Sequence, residues 1–123
     1  MINFKVDNLK LMHDSLNAFT DFLKTEGADE DDIFASKIVS CELITNVIRH
    51  GGDEAEFTGC ISGDKIFITV AAESLKGVDV SGKAPDVFAE SGRGLYIVKC
   101  FSYGEIERGD GGEIKVVIKR HGK

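Results

Sequence analysis

Apolar and polar positions alternate from Ile2 to Val6, which predicts a short opening strand. Leu9, Met12, Leu16, Phe19 and Leu23 then recur at intervals of three and four, the single apolar stripe of an amphipathic helix. Asp7 is the expected N-cap and Gly27 the closing residue, with His13 beside the stripe on the surface. A second helix runs from about Asp31 to His50. Asp29 caps it, Glu30, Asp31 and Asp32 suit the positive end of its dipole, and Gly51-Gly52 stops it. Ala55 to Ile61 and Lys65 to Ala72 alternate again. They flank the turn signal Ser62-Gly63-Asp64 and predict an antiparallel hairpin with one face on a core. From Glu73 to Gly92 the pattern dissolves around the only proline, Pro85, with Asp86 to Ala89 long enough for one helical turn. Leu95, Ile97, Val98 and Phe101 mark a third helix. Tyr103 to Arg108 and Glu113 to Lys119 read as two last strands about the turn Gly109-Asp110-Gly111-Gly112. The order is β-α-α-β-β-loop-α-β-β, with strands paired as hairpins. It predicts an α+β fold over residues 1–123, one domain, a two-layer sandwich of a mainly antiparallel sheet with helices on one face.

The second helix carries its polar residues in an unusual place. Each residue turns about 100° around the axis, so Ser36, Lys37 and Ser40 share one polar face. Glu42, Asn46 and His50, spaced i, i+4, i+8, lie roughly opposite. Phe34, Ile38, Cys41 and Ile48 flank them on one side and Val39, Leu43 and Val47 on the other. Burying such groups without partners costs a few kcal/mol each. Either they are satisfied internally, for instance Glu42 with Arg49, or they line a cavity that holds water, metal or ligand.

Composition narrows the classes. At 123 residues and 42% apolar content, the chain can bury one proper core. Its net charge of −6, from 15 cationic and 21 acidic residues, argues against a general nucleic-acid or membrane-surface role and leaves room for a local basic pocket. The N-terminus lacks the shape of a signal peptide, and no apolar run is long enough to span a bilayer. Cys41, Cys60 and Cys100 are odd in number and form no CxxC pair, so the expected setting is a reducing cytoplasm without a disulfide framework or zinc site. His13, His50 and His121 show no metal-ligand spacing, and no serine sits in a GxSxG turn. Lys115, Lys119, Arg120 and Lys123 read as a solvated strand edge.

Two glycine motifs bear on phosphate chemistry. Gly92-Arg93-Gly94 precedes a helix, where free backbone N–H groups and the dipole favour an anion, although many helices also begin after a flexible glycine loop. Gly77 to Ala84 fits GxxxxGK but ends in alanine, without the hydroxyl that would hold Mg²⁺. Pro85 follows where a P-loop helix would start.

Taken together, Glu42-xxx-Asn46-xxx-His50-Gly51 resembles the N-box of the GHKL ATPases, the superfamily of gyrase and the sensor histidine kinases. Helix-Gly spacing and small size are most similar to its anti-sigma-factor serine kinase branch. Gly92-Arg93-Gly94-Leu95 matches the second glycine box, which in that family ends the ATP lid. The resemblance implies a histidine-kinase-like (Bergerat) ATPase fold that takes ATP and Mg²⁺. Asn46 would hold the Mg²⁺ that bridges the phosphates. Glu42 would act as general base on a serine of a partner protein. Gly92, Arg93 and Gly94 would cradle phosphates. The first glycine box, Asp-x-Gly-x-Gly in the family, is best matched by Glu73-Ser74-Leu75-Lys76-Gly77 with Asp79 following. Glu73 stands for the adenine-binding Asp, Leu75 for a glycine, and Gly77 is kept. Two functions follow from the resemblance. One is a kinase that phosphorylates a small anti-sigma factor antagonist and so regulates a sigma factor. The other is a partner-binding module on the same fold with nucleotide weak or absent. The branch commonly dimerises, so a homodimer is a further expectation.

Overall fold

In the computed structural model, residues 1–51, 54–75, 90–109 and 111–121 are described, with backbone alone at 50–51 and 90–95. Strands β1 (Ile2–Val6), β2 (Ala55–Ser62), β3 (Lys65–Ala71), β4 (Glu107–Gly109) and β5 (Glu113–Lys119) form one antiparallel sheet in the order β1-β2-β3-β5-β4. Its period-two pattern has a direct structural outcome. Val6, Phe57, Ile68, Val70, Ile114, Val116 and Ile118 are buried and share one face through the register pairs Phe57↔Val70, Ile68↔Val116 and Val70↔Ile114. Helices α1 (Leu9–Thr25), α2 (Glu30–Asn46) and α3 (Glu90–Phe101) bring Met12, Leu16, Phe19, Leu23, Val39, Leu43 and Val98 to the same core. The chain is therefore α+β with an antiparallel sheet, an arrangement compatible with a two-layer sandwich.

Several local expectations shift. Asn8, not Asp7, caps α1. It has extended backbone, and its Oδ1 accepts from the Leu11 N–H at 2.9 Å, while its amide donates to Asp7 Oδ1 at 2.8 Å. Leu9 leaves the apolar stripe and is largely exposed, and Ser15 is buried beside Leu16 instead. Ser62 pairs with Lys65, so the first hairpin turns on Gly63 and Asp64 alone, with Gly63 at φ +59°. The predicted strand from Tyr103 shrinks to Glu107–Gly109, because Gly104 turns the chain at φ +83°. Tyr103 N–H still donates to Val117 O at 2.7 Å. β5 lies between β3 and β4, but β4 pairs with Glu113–Lys115 alone, so Lys115 has a strand on both sides while Lys119 pairs only with Lys65 of β3, and Lys123 lies outside the described residues. Arg120 donates to Gly63 O and Gly27 O at 3.0 and 3.1 Å, tying the end of β5 to two turns.

The N-terminus of α2 is as the sequence predicts: Asp29 Oδ1 accepts from the Asp32 N–H at 2.9 Å. Its polar face is not. Ser36 and Ser40 are fully buried, and only Lys37 of the three is exposed. Each serine hydroxyl donates at 2.7 Å to the carbonyl four residues back, Asp32 O and Ser36 O, so burial leaves no unsatisfied donor. Packing explains the reversal. Contacts with α1, α3 and the sheet surround α2 on several sides, and Ala35, Ser36 and Ser40 are small enough to allow close approach.

Candidate functional site

The site is built at the C-terminal end of α2. Glu42 and Asn46 sit one turn apart on the same side of the helix, both half-buried, with Leu43, Ile44 and Val47 buried beside them. No hydrogen bond or ion pair engages either side chain among the described residues, and Arg49 is exposed and does not bridge to Glu42. The helix continues as a single π-turn, Val47–Gly51. Such a turn closes its hydrogen bonds one residue further on and is frequent at functional sites. It also breaks the α-helical spacing that would stack residue 50 over Asn46. The His50 side chain lies outside the described residues.

A second element meets this end of α2. Glu73–Leu75 forms a 3₁₀ turn that packs against the π-turn, with the Leu75 N–H donating to Ala72 O at 3.1 Å. Glu73 is exposed, whereas Leu75 is buried in the core. Gly77, Asp79 and the rest of the GxxxxGK near-match, 77–84, lie outside the described residues, as does the helical turn expected at Asp86 to Ala89.

The third element is α3. It begins at Glu90, so Gly92, Arg93 and Gly94 fall inside the helix rather than ahead of it. Gly92 still belongs to the first turn, where backbone N–H groups lack intrahelical acceptors. The Arg93 side chain lies outside the described residues. Phe101, at the far end of α3, meets Phe34 in the second turn of α2 edge-to-face, ring centroids 6.5 Å apart. Since α2 and α3 pack along each other, they run antiparallel, and the start of α3 points toward the Glu42 and Asn46 end. Of the predicted residues, Glu42 and Asn46 thus share the end of α2, Glu73 lies on the turn packed against the π-turn that follows, and Gly92–Gly94 lie in the half of α3 that starts from that side.

The opposite end of α2 holds a cluster that local patterns do not reveal. Asp32 is buried. Its Oδ2 accepts from the His121 backbone N–H at 2.8 Å, and its Oδ1 bonds the His121 ring at Nδ1. Asp29, Asp32 and His121 place one ligand atom each within 4.8 Å of one another, and their oxygens are engaged with the helix cap and with His121. Eighty-nine residues separate the two partners in sequence, so spacing carries no signal. The hydrogen bond that the His121 ring donates to the Asp32 carboxylate raises the His121 pKa, the charges of Asp32, Asp29 and Asp31 adding to the effect. A raised folded-state pKa stabilises the fold fully below the unfolded value of about 6.5, and this contribution is lost as pH rises through the higher folded value. Urea midpoints should therefore fall between about pH 6 and pH 9, and His121→Ala should flatten that difference. An unchanged slope in the variant would exclude the latch as its cause.

Comparison with models of known protein families gives no match, and none of the curated proteins compared matches the sequence. Among the described residues, no helix is long and apolar enough to cross a membrane. Cys41, Cys60 and Cys100 are free thiols.

Proposed function

We propose that this chain is a serine/threonine protein kinase of the GHKL type, close to the anti-sigma factor branch. It would bind ATP with Mg²⁺ and phosphorylate a small antagonist protein, and so release or hold a sigma factor by partner exchange. The observation that carries this reading is the unengaged pair Glu42 and Asn46, half-buried at the end of α2, where the π-turn that continues the helix packs against the Glu73–Leu75 turn. A half-buried carboxylate and amide without internal partners have polar capacity to spare, which a hydrated cation and phosphate oxygens would fill. Their oxygens are the hard donors that Mg²⁺ takes alongside phosphate and water. Asn46 would hold the metal, and Glu42 would remove the proton from the attacking hydroxyl. As the serine oxygen bonds to the γ-phosphorus, the bond to the bridging oxygen of ADP breaks. Gly92, Arg93 and Gly94 would supply donors to the phosphates, and Glu73 would accept from the adenine amine.

A second reading, a partner-binding module with weak or no nucleotide affinity, draws on Leu75. Its side chain fills the core where the family has glycine, and Glu73 is one methylene longer than Asp. Calorimetry with Mg-ATP and Mg-ADP separates the two. Micromolar binding, weakened at least about tenfold in both Asn46→Ala and Glu73→Ala, is the expected result. A folded protein that takes up no nucleotide at millimolar concentration would leave the binding module in its place.

A further inference from the structure

One face of the sheet packs on the helices, and the open face divides into cross-strand rows. The register sets Ser62, Lys65 and Lys119 in one row and Cys60, Phe67 and Val117 in the next, about 7 Å further along the strands. Lys65 and Lys119 are direct cross-strand partners, a like-charge pairing that is unfavourable by itself. Both ammonium groups converge on the ring of Tyr103, which is 51% exposed, with Nζ 5.8 and 5.4 Å from its centroid. Among the described residues, Asp64 alone forms an ion pair with either lysine, accepting from Lys65 Nζ at 3.1 Å. The hydrogen bond from Lys65 lowers the Asp64 pKa, and the charges of Lys65 and Lys119 add to the effect, so the fields of both lysines reach a carboxylate at this corner. Two cations and one anion leave it a surplus of one positive charge. Further along the face, Lys5 stands opposite Glu56 and Lys115 opposite Glu107, and Glu113 is at the far end. Beside the lysines, Cys60, Phe67 and Val117 are only half-buried, and no described element lies over them.

We infer that this corner binds a small carboxylic acid with an apolar body about one ring long, its carboxylate between Lys65 and Lys119 and its body over Phe67 and Val117 beside Tyr103. The charge count selects the head. A surplus of one matches a carboxylate, whereas a phosphate monoester brings about two negative charges and is opposed by Asp64. The donors suit it as well: two ammonium groups and the exposed Ser62 hydroxyl share one row, and a carboxylate only accepts. Row spacing selects the body. The apolar row lies about 7 Å from the lysines and gives way to Thr58 and Thr69 in the row after it, so a ring is covered on apolar surface and a long chain would run over hydroxyls. The inference stands apart from the nucleotide reading, since none of these residues belongs to the α2 site.

Titration of the full chain with phenylacetate to about 20 mM, followed by amide NMR, tests it. The expected result is a set of saturable shifts centred on residues 62–67, 103 and 117–119, with a dissociation constant of about 1 mM or tighter. Acetate and benzyl alcohol, the head and the body alone, should each bind at least about tenfold more weakly. Lys119→Gln, at an exposed position that the fold does not depend on, should weaken phenylacetate by about tenfold, and Asn46→Ala should leave it unchanged. No saturable shift at these amides, or full affinity in Lys119→Gln, would overturn the inference. So would tighter binding of phenyl phosphate than of phenylacetate, or loss of phenylacetate in Asn46→Ala, which would put the acid at the α2 site instead.

Discussion

Glu42→Gln should lower phosphoryl transfer by about 10²- to 10⁴-fold and leave Mg-ATP binding nearly unchanged. Glutamine has the shape of glutamate and keeps an oxygen at the same reach, so the half-buried position at the end of α2 remains filled. What it lacks is the negative oxygen that can take a proton from the attacking hydroxyl. On the proposed reading, binding would report Asn46 and the phosphate donors, and transfer would report Glu42 as well. Hydrolysis of Mg-ATP, in which water stands in for the serine hydroxyl, reads the same step before any antagonist is in hand. Stability adds a second check. No described group is bonded to the Glu42 side chain, so neutralising it breaks no internal interaction, and the urea midpoint should hold or rise. A full hydrolysis rate in the variant would remove Glu42 from the base role. A sharp loss of stability would show instead that the carboxylate serves the fold.

How far the sequence reveals this protein depends on the range of the interaction. Alternation of period two placed β2 and β3 to within a residue, since side chains on a pleated strand must choose a face, and Ile66, Ile68 and Val70 all chose the core. The apolar stripe of α1 was equally plain, because that helix has one buried side. Helix α2 defeated the same logic. It is packed on several sides, and Ser36 and Ser40 satisfy their hydroxyls on their own helix, so polar residues there do not mark solvent. The carboxylate and amide of Glu42 and Asn46 were legible as a candidate pair from their i, i+4 spacing. Their lack of partners was not, because that depends on what the rest of the chain brings near. The Asp32 and His121 latch was invisible for a related reason: it is a contact between the first turn of α2 and the residues after β5. The starting point of α3 missed by a few residues, as glycine in a helix runs against intrinsic preference and reads as loop.

Gly59→Ala should destabilise the fold by about 1–3 kcal/mol, although intrinsic preference points the other way. Glycine inside a strand restricts more backbone freedom on folding than alanine, so an unobstructed change would gain about 0.5–1 kcal/mol. Position 59 is obstructed. Gly59 lies in β2 between Ile2 of β1 and Ile68 of β3, on the face that meets α1. A Cβ there would stand 2.5 Å from Cε1 of Phe19 and 3.0 Å from two more ring atoms. Phe19 cannot easily yield, being fully buried and set edge-on against Phe57 at 5.0 Å between ring centroids. Closely packed interiors answer such an intrusion by moving backbone or forcing a rotamer. Here the cost falls on the seat of α1 upon the sheet, with a melting midpoint lower by about 10 °C. The mechanism predicts a coupling as well as a loss. In a Phe19→Leu background the ring edge is gone, and the same Gly59→Ala step should cost under about 1 kcal/mol. An equal penalty in both backgrounds would mean that the ring is not what the missing Cβ makes room for.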